Sequence, residues 1–285
     1  MSKSRSLQSR LLIDSVFKIS VGVLSVLLLI PLFFILYYIF SKGFAAFSWD
    51  FFTQLPKPVG ELGGGVSNAI VGSLLLVLIS AIVSIPLGIM IGIYLSENKK
   101  GKIPELTRLC VDTLQGVPSI VMGIIAYAWI VLPMGSFSIL SGGVALALIM
   151  IPIVIKSTEE TLKLLPHTLK EAAFALGAPY HTTILKVILP AGKSGIMSGI
   201  LIGIARVSGE TAPLLFTAFG SPFMSTHILK SANSLPILIY NYATSPYQDW
   251  QNLAWGASLL LVLFVLGLSI IAKVMVKKWT IKKAF

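Results

Sequence analysis

The chain has 285 residues, 55% of them hydrophobic and only 12% charged, with a net charge of +11 and a mean hydropathy of +0.90. So apolar a chain lies outside the soluble globular range and reads as an integral membrane protein, whose positive charge needs no nucleic acid to explain it. The single cysteine, Cys110, excludes an internal disulfide and a cysteine-rich metal site, and His167, His181 and His227 lack ligand spacing on one helix face, so no metal is expected.

Crossing about 30 Å of hydrocarbon takes roughly 20 apolar residues. The first such run, 17–40, is too long for a signal-peptide core and reads as a retained span. An outer loop, 41–65, follows and ends in Gly63, Gly64 and Gly65, a predicted hinge. Spans two and three are read at 66–95 and 109–132, with Pro118 inside the third. Span four, 142–155, is short for a crossing and contains Pro152; either proline leaves a kink beside a pathway or serves packing alone.

The inner loop 156–193 reads as structured. Thr168 and Glu171 have capping-box spacing, Gly177 suits a left-handed stop, and together they predict a helix over 169–176. Pro179 opens a second helical stretch whose apolar face holds Ile184, Val187 and Ile188, and Pro190 leads into span five, 195–218. A second outer loop, 220–252, contains LPILIYNYATSPYQDW, a predicted short interfacial helix that either anchors in lipid headgroups or receives an extracytoplasmic partner. Span six is read at 253–276.

Basic residues set the orientation. Lys3, Arg5, Arg10 and Lys18 precede span one; Lys99, Lys100, Lys102 and Arg108 lie between spans two and three; Lys156, Lys163, Lys170, Lys186 and Lys193 between four and five; and Lys273, Lys277, Lys278, Lys282 and Lys283 at the end. Only Lys42, Lys57 and Lys230 fall on the other side. The expectation is an all-α polytopic protein of six transmembrane helices with both termini cytoplasmic.

Span five carries an anomaly. Plotted as one helix, Gly195, Gly199, Gly203, Arg206, Glu210, Pro213 and Thr217 share a stripe, small toward the inside and polar toward the outside. Arg206 falls about 18 Å along the helix from Ser194, near mid-bilayer, where a charge costs from about 2.5 to over 10 kcal/mol unless it meets protein, water or a counter-charge. Two readings stay open: a self-neutralising pair that locks a bundle, or a site on an anion's path, where a guanidinium fork matches a tetrahedral oxyanion and a carboxylate accepts its proton.

The stretch EAAFALG, from Glu171 to Gly177, followed by VILP, ending at Leu189 and Pro190, resembles the EAA loop of ATP-binding-cassette (ABC) importer permeases, with Val187 in place of the usual isoleucine. The resemblance implies that Glu171, Ala172, Ala173, Gly177, Leu189 and Pro190 couple the chain to a cytoplasmic ATPase. ARVSGETAPLLFTA, GGGVSNAIVGSLLLV, GVPSIVMGIIAY and SLPILIYNYATSPYQDWQNLAWGA resemble the phosphate-specific importer permeases of the PstA family, so the likeness runs over most of the chain.

That resemblance implies a type I ABC importer permease fold in a prokaryotic plasma (inner) membrane. Its domains would be 1–65, the first span with its flanks; 66–276, a transmembrane type-1 permease domain; and 277–285, a basic tail. The implied partners are a PstC-type second permease, a dimer of PstB-type ATP-binding subunits, a PstS-type extracytoplasmic phosphate-binding protein and membrane lipid. The chain has no G-x-x-x-x-G-K-[ST] loop and no catalytic residues are assigned; ATP and Mg would be used by the partner ATPase, and this chain would bind no cofactor. The implied pathway residues are Arg206, Glu210 and Thr211, with Lys156 standing where the family is expected to have arginine. The rivals are a permease for sulfate or molybdate, an ion-coupled secondary carrier, which would need more intramembrane acids, and a membrane anchor, which would need no buried arginine.

Overall fold

The computed structural model describes residues 7–61 and 63–281, so the expected inner-side charges Lys3, Arg5, Lys282 and Lys283 lie outside the described residues. Helix α1, Leu7–Ala45, is followed by a single turn, α2, Trp49–Thr53, and by α3, Ser67–Glu97. Helices α4, Lys102–Gly116, and α5, Ser119–Ala126, meet at a bend, and a π-type turn, Tyr127–Val131, leads to α6, Leu132–Met134. Next come α7, Ile139–Lys163, and two short inner helices, α8, His167–Ala175, and α9, Tyr180–Thr183. A second π-type turn, Ile184–Ile188, runs into α10, Leu189–Ser208. The chain closes with α11, Ala212–Leu215, α12, Leu235–Ala243, and α13, Gln248–Ile281.

Five of these helical stretches are long and apolar enough to cross a membrane, and α4 with α5 makes a sixth if the bent pair is taken as one crossing. Helix α7 is the centre: two thirds of its most apolar window is buried, against none of that of α1. Small residues let neighbours reach it. A side chain on Gly88 or Gly92 of α3 would meet Val154 or Thr158 of α7 at 2.6 Å, and one on Gly199 of α10 would meet the Ser157 hydroxyl at 1.8 Å. With no water to drive apolar surfaces together, such close backbone approach is what holds spans to one another. Helix α1 packs on α13 toward its outer end, where Gly43 lies against Trp255 and Leu259 and the rings of Tyr38 and Trp255 meet edge to face at 5.0 Å.

The structure corrects several expected boundaries. Span three is two helices bent by 105°, because Val117 takes an extended conformation ahead of Pro118, which has no N–H to continue the ladder. Helix α4 is amphipathic, with Lys102, Glu105, Arg108 and Asp112 at helical spacing. Span four is not short: α7 continues through Lys156 to Lys163, since its polar inner turns find ion-pair partners on α4. The hinge expected at Gly63–Gly65 is a packed corner at Gly65, where a side chain would strike the Asp50, Phe51 and Gln54 carbonyls within 2.6 Å.

The inner loop also differs. Pro166, not Thr168, precedes α8, its carbonyl accepting from the Leu169 N–H at 3.2 Å, so the Thr168–Glu171 capping box does not form. The stop is as expected. Gly177 has φ +76, and the N–H groups of Gly177 and Ala178 donate to the Phe174 and Ala173 carbonyls at 2.9 and 3.1 Å, a Schellman closure. Pro190 does not break the chain, because α9, the π-type turn and α10 form one continuous stretch.

Candidate functional site

Span five ends early. Helix α10 stops at Ser208, and Gly209, Glu210 and Thr211 are irregular before α11. Two residues cause it. Pro213 cannot donate to the Gly209 carbonyl, and glycine in a helix costs about 1 kcal/mol relative to alanine. The last turn tightens instead: the Gly209 and Glu210 N–H groups donate to the Arg206 and Val207 carbonyls at 3.1 and 3.3 Å. The single stripe expected from Gly195 to Thr217 is therefore divided. Gly199 and Gly203 pack on α7, whereas Arg206 turns to an exposed edge.

Within the break, Arg206 Nε lies 3.8 Å from Glu210 Oε1, with side-chain exposures of 56% and 18%. The contact is loose, leaving most of the guanidinium fork open to whatever faces this edge. Thr211, adjacent, is half-buried. The break is braced from behind: Gly123 of α5 lies so close to Pro213 that a side chain would meet its Cα at 2.6 Å. Thr217, expected on the polar stripe, is fully buried, donating to the Pro213 carbonyl at 2.8 Å, while its own carbonyl accepts from the Ser138 N–H at 3.0 Å and the Ser141 hydroxyl at 2.9 Å. A closely packed wall thus presents an exposed, incompletely paired cation. Irregular backbone at membrane depth is tolerated only where it is buried in protein or lines a watery cavity, and the exposure of Arg206 points to the second.

Lys156 does not join that pair. It lies toward the inner side on α7, where its Nζ is 2.6 Å from Asp112 of α4. Both side chains are partly exposed and border a small cleft shared with Arg108, Glu159 and Lys163. Asp112, Arg108 and Glu159 were not singled out as functional from the sequence. The signal that could have found them is the charge register of α4 read against the charges of α7, once α4 is recognised as amphipathic.

The inner loop that bears α8 is largely exposed. On α8, Glu171 and Ala172 face outward while Ala173 turns in and is buried. Leu189 is half-buried and Pro190 exposed. Around them Leu164 and Leu176 are 84% and 89% exposed, and Phe174 and Leu185 are also uncovered, an apolar rim unusual at a polar membrane surface.

On the outer face, a cleft of about 560 Å³ is lined by Pro56, Lys57, Phe219, Pro222, Tyr242 and Trp250 among others. Tyr242 stacks on Trp250 at 4.5 Å, and burial pushes its phenol above the usual tyrosine range, so it stays protonated there. Phe219 has φ +64, a strained conformation accompanied by stacking on Phe137 at 4.6 Å and by donation of its N–H to the Leu214 carbonyl at 3.0 Å.

Residues 84–280 match the family described as binding-protein-dependent transport system inner membrane component. The chain is 46% identical over 255 residues to the phosphate transport system permease protein PstA of Yersinia pestis, covering 88% of this chain and 86% of that one. It is 37% identical over 269 residues to a probable phosphate transport system permease protein PstA of Methanocaldococcus jannaschii, covering 94% and 95%. Among solved structures, the methionine ABC transporter MetNI in an inward-facing conformation superposes with a TM-score of 0.62 at 20% identity, over 75% of this chain and 95% of that one, a likeness of fold.

Proposed function

Because this chain belongs to the PstA family of binding-protein-dependent inner membrane permeases, we propose that it is a transmembrane subunit of an ATP-driven importer of inorganic phosphate, with Arg206 as the anion-facing group of its pathway. The observation that carries the site is the half-exposed guanidinium at the break between α10 and α11. A fork of N–H donors complements a tetrahedral oxyanion, and Glu210 beside it can accept a hydrogen bond from the P–O–H group that orthophosphate carries near neutral pH and sulfate lacks. Thr211 adds a hydroxyl at the same level. Lys156, already engaged by Asp112, serves as an inner station reached after the anion leaves Arg206.

The chain is a multi-pass subunit of the inner membrane, non-catalytic, and works in a complex with a second permease and an ATPase. In the finer reading those partners are PstC-type and PstB-type subunits, with a PstS-type binding protein docking on the outer face near the cleft of Phe219 and Trp250. ATP and Mg are used by the ATPase pair alone. The exposed rim of α8 supports its docking in that pair, with Glu171 and Ala172 entering the partner's groove and Gly177 turning the chain back. The type-1 permease body is 66–276, with 1–65 and 277–285 outside it.

Uptake of labelled orthophosphate at low micromolar concentration, in cells with and without this chain and with sulfate and molybdate alongside, tests the assignment. Selective loss of high-affinity phosphate uptake is expected. Loss of sulfate or molybdate uptake with phosphate untouched would overturn the substrate while leaving the importer class in place.

A further inference from the structure

Helices α7 and α10 are joined covalently to the loop bearing α8, but α3 is not, and it must follow any motion of α8 through side chains. The inner end of α3 carries such a connection. Glu97, its last residue, forms an ion pair with Lys170 of α8 and accepts a hydrogen bond from the Tyr180 hydroxyl of α9 at 3.2 Å. The Lys170 ammonium also stands 5.4 Å from the centre of the Tyr180 ring. Both charged side chains are mostly buried, so water screens the pair less than an ordinary surface bridge.

A second connection meets the first at the same helix end. Arg108 of α4 donates through Nη2 to the Leu95 and Asn98 carbonyls at 2.7 and 2.9 Å and through Nη1 to the Lys99 carbonyl at 3.3 Å. Its Nε donates to Glu159 of α7 at 2.8 Å, and Lys163 reaches the same carboxylate at 2.5 Å. The last carbonyls of a helix have no partners within it and attract cations, so Arg108 satisfies the end of α3 while fastening it to α4 and α7. A lysine could not do this: only a planar fork can serve three carbonyls and a carboxylate together.

We propose that Glu97 and Arg108 are positioning residues for coupling, forming a polar clasp that makes the inner end of α3 move with α8 and α7 when the ATPase closes. The clasp rests on the reading that α8 docks on the ATPase. Neither residue touches the anion, and Lys170 lies just outside the EAAFALG motif, so the contact is separate from the docking surface itself.

The test uses the whole complex in liposomes with its binding protein, scoring phosphate delivered per ATP hydrolysed. Glu97→Lys and Lys170→Glu are each expected to lower that ratio about tenfold while the ATPase still co-purifies, and the doubly reversed chain to regain it to within about threefold. A wild-type ratio in either single variant, or no recovery in the double variant, would overturn the clasp. Should either reversal prevent assembly, Glu97→Gln, which keeps the shape and removes the charge, takes its place: a lowered ratio supports the clasp and an unchanged one refutes it. Ala172→Trp separates the two readings, because an ATPase that still co-purifies with that bulky residue on α8 overturns the docking reading whatever the reversals do.

Discussion

Two arginines of this chain sit beside carboxylates, and they are opposites. Arg108 is nearly saturated: four of its five donors are used, on the Leu95, Asn98 and Lys99 carbonyls and, at 2.8 Å, on Glu159, with the side chain only 24% exposed. Arg206 has a single ion-pair partner among the described residues, at 3.8 Å, and is more than half exposed, although it lies in the membrane part of the chain. An arginine with four of its five donors used inside the protein is structure. One kept at membrane depth with donors to spare is costly unless something else completes it, and a translocated anion is what would do so. Sequence spacing could not tell them apart, since each has a carboxylate within reach; the number of satisfied donors can.

The largest expected effect comes from Arg206→Gln. If Arg206 meets the anion as proposed, removing its charge forfeits about 3 kcal/mol of charge-assisted contact, on the order of 100-fold in uptake at limiting phosphate. Assembly and thermal stability of the complex should be unchanged, because the native pair contributes little at its present distance. Loss of assembly with Arg206→Gln would return this arginine to a packing role and erase the contrast with Arg108.

Arg108→Gln should show the reverse pattern. It strips the inner end of α3 of its cap and leaves Glu159 to Lys163 alone, a cost of about 1–3 kcal/mol in stability. The complex should melt several degrees lower, while its apparent affinity for phosphate at the outer side stays as it was. A fall in that affinity without a fall in melting temperature would place Arg108 on the pathway instead.

Much of this was legible in the chain and some was not, for identifiable reasons. Composition and run length gave the membrane class and five crossings, with a sixth if the bent pair of α4 and α5 is one span, and the EAAFALG register gave an exposed inner helix with its glycine stop. The break at Gly209 was in plain view, as Gly209 and Pro213, but plotting at 100° per residue presupposes an unbroken helix and so hid it. The extension of α7 to Lys163 was invisible to hydropathy because its inner turns are polar; they stay helical through partners on α4 that only tertiary structure brings near. For the same reason Glu97 and Glu159 looked like ordinary loop charges and Asp112 like an acid at the inner end of span three, and Thr217, expected on the polar stripe, is a buried hydrogen-bonding strut.

The smallest and most discriminating change is Glu210→Gln. The amide keeps the size of the carboxylate and a hydrogen-bonding end, so α10 and α11 should be undisturbed and the bundle as stable as before. What changes is charge: Arg206 loses its neutralising neighbour, and the P–O–H group of an incoming phosphate meets a neutral amide oxygen, a weaker hydrogen-bond acceptor than the carboxylate. If Glu210 selects for that proton, sulfate, which has none to give, should gain relative to phosphate, by up to about tenfold for a difference of about 1.4 kcal/mol. Competition of unlabelled sulfate against labelled phosphate in the variant measures this directly. Unchanged preference would mean that Glu210 only balances the charge of Arg206, and that selection rests on the fork geometry of the arginine alone.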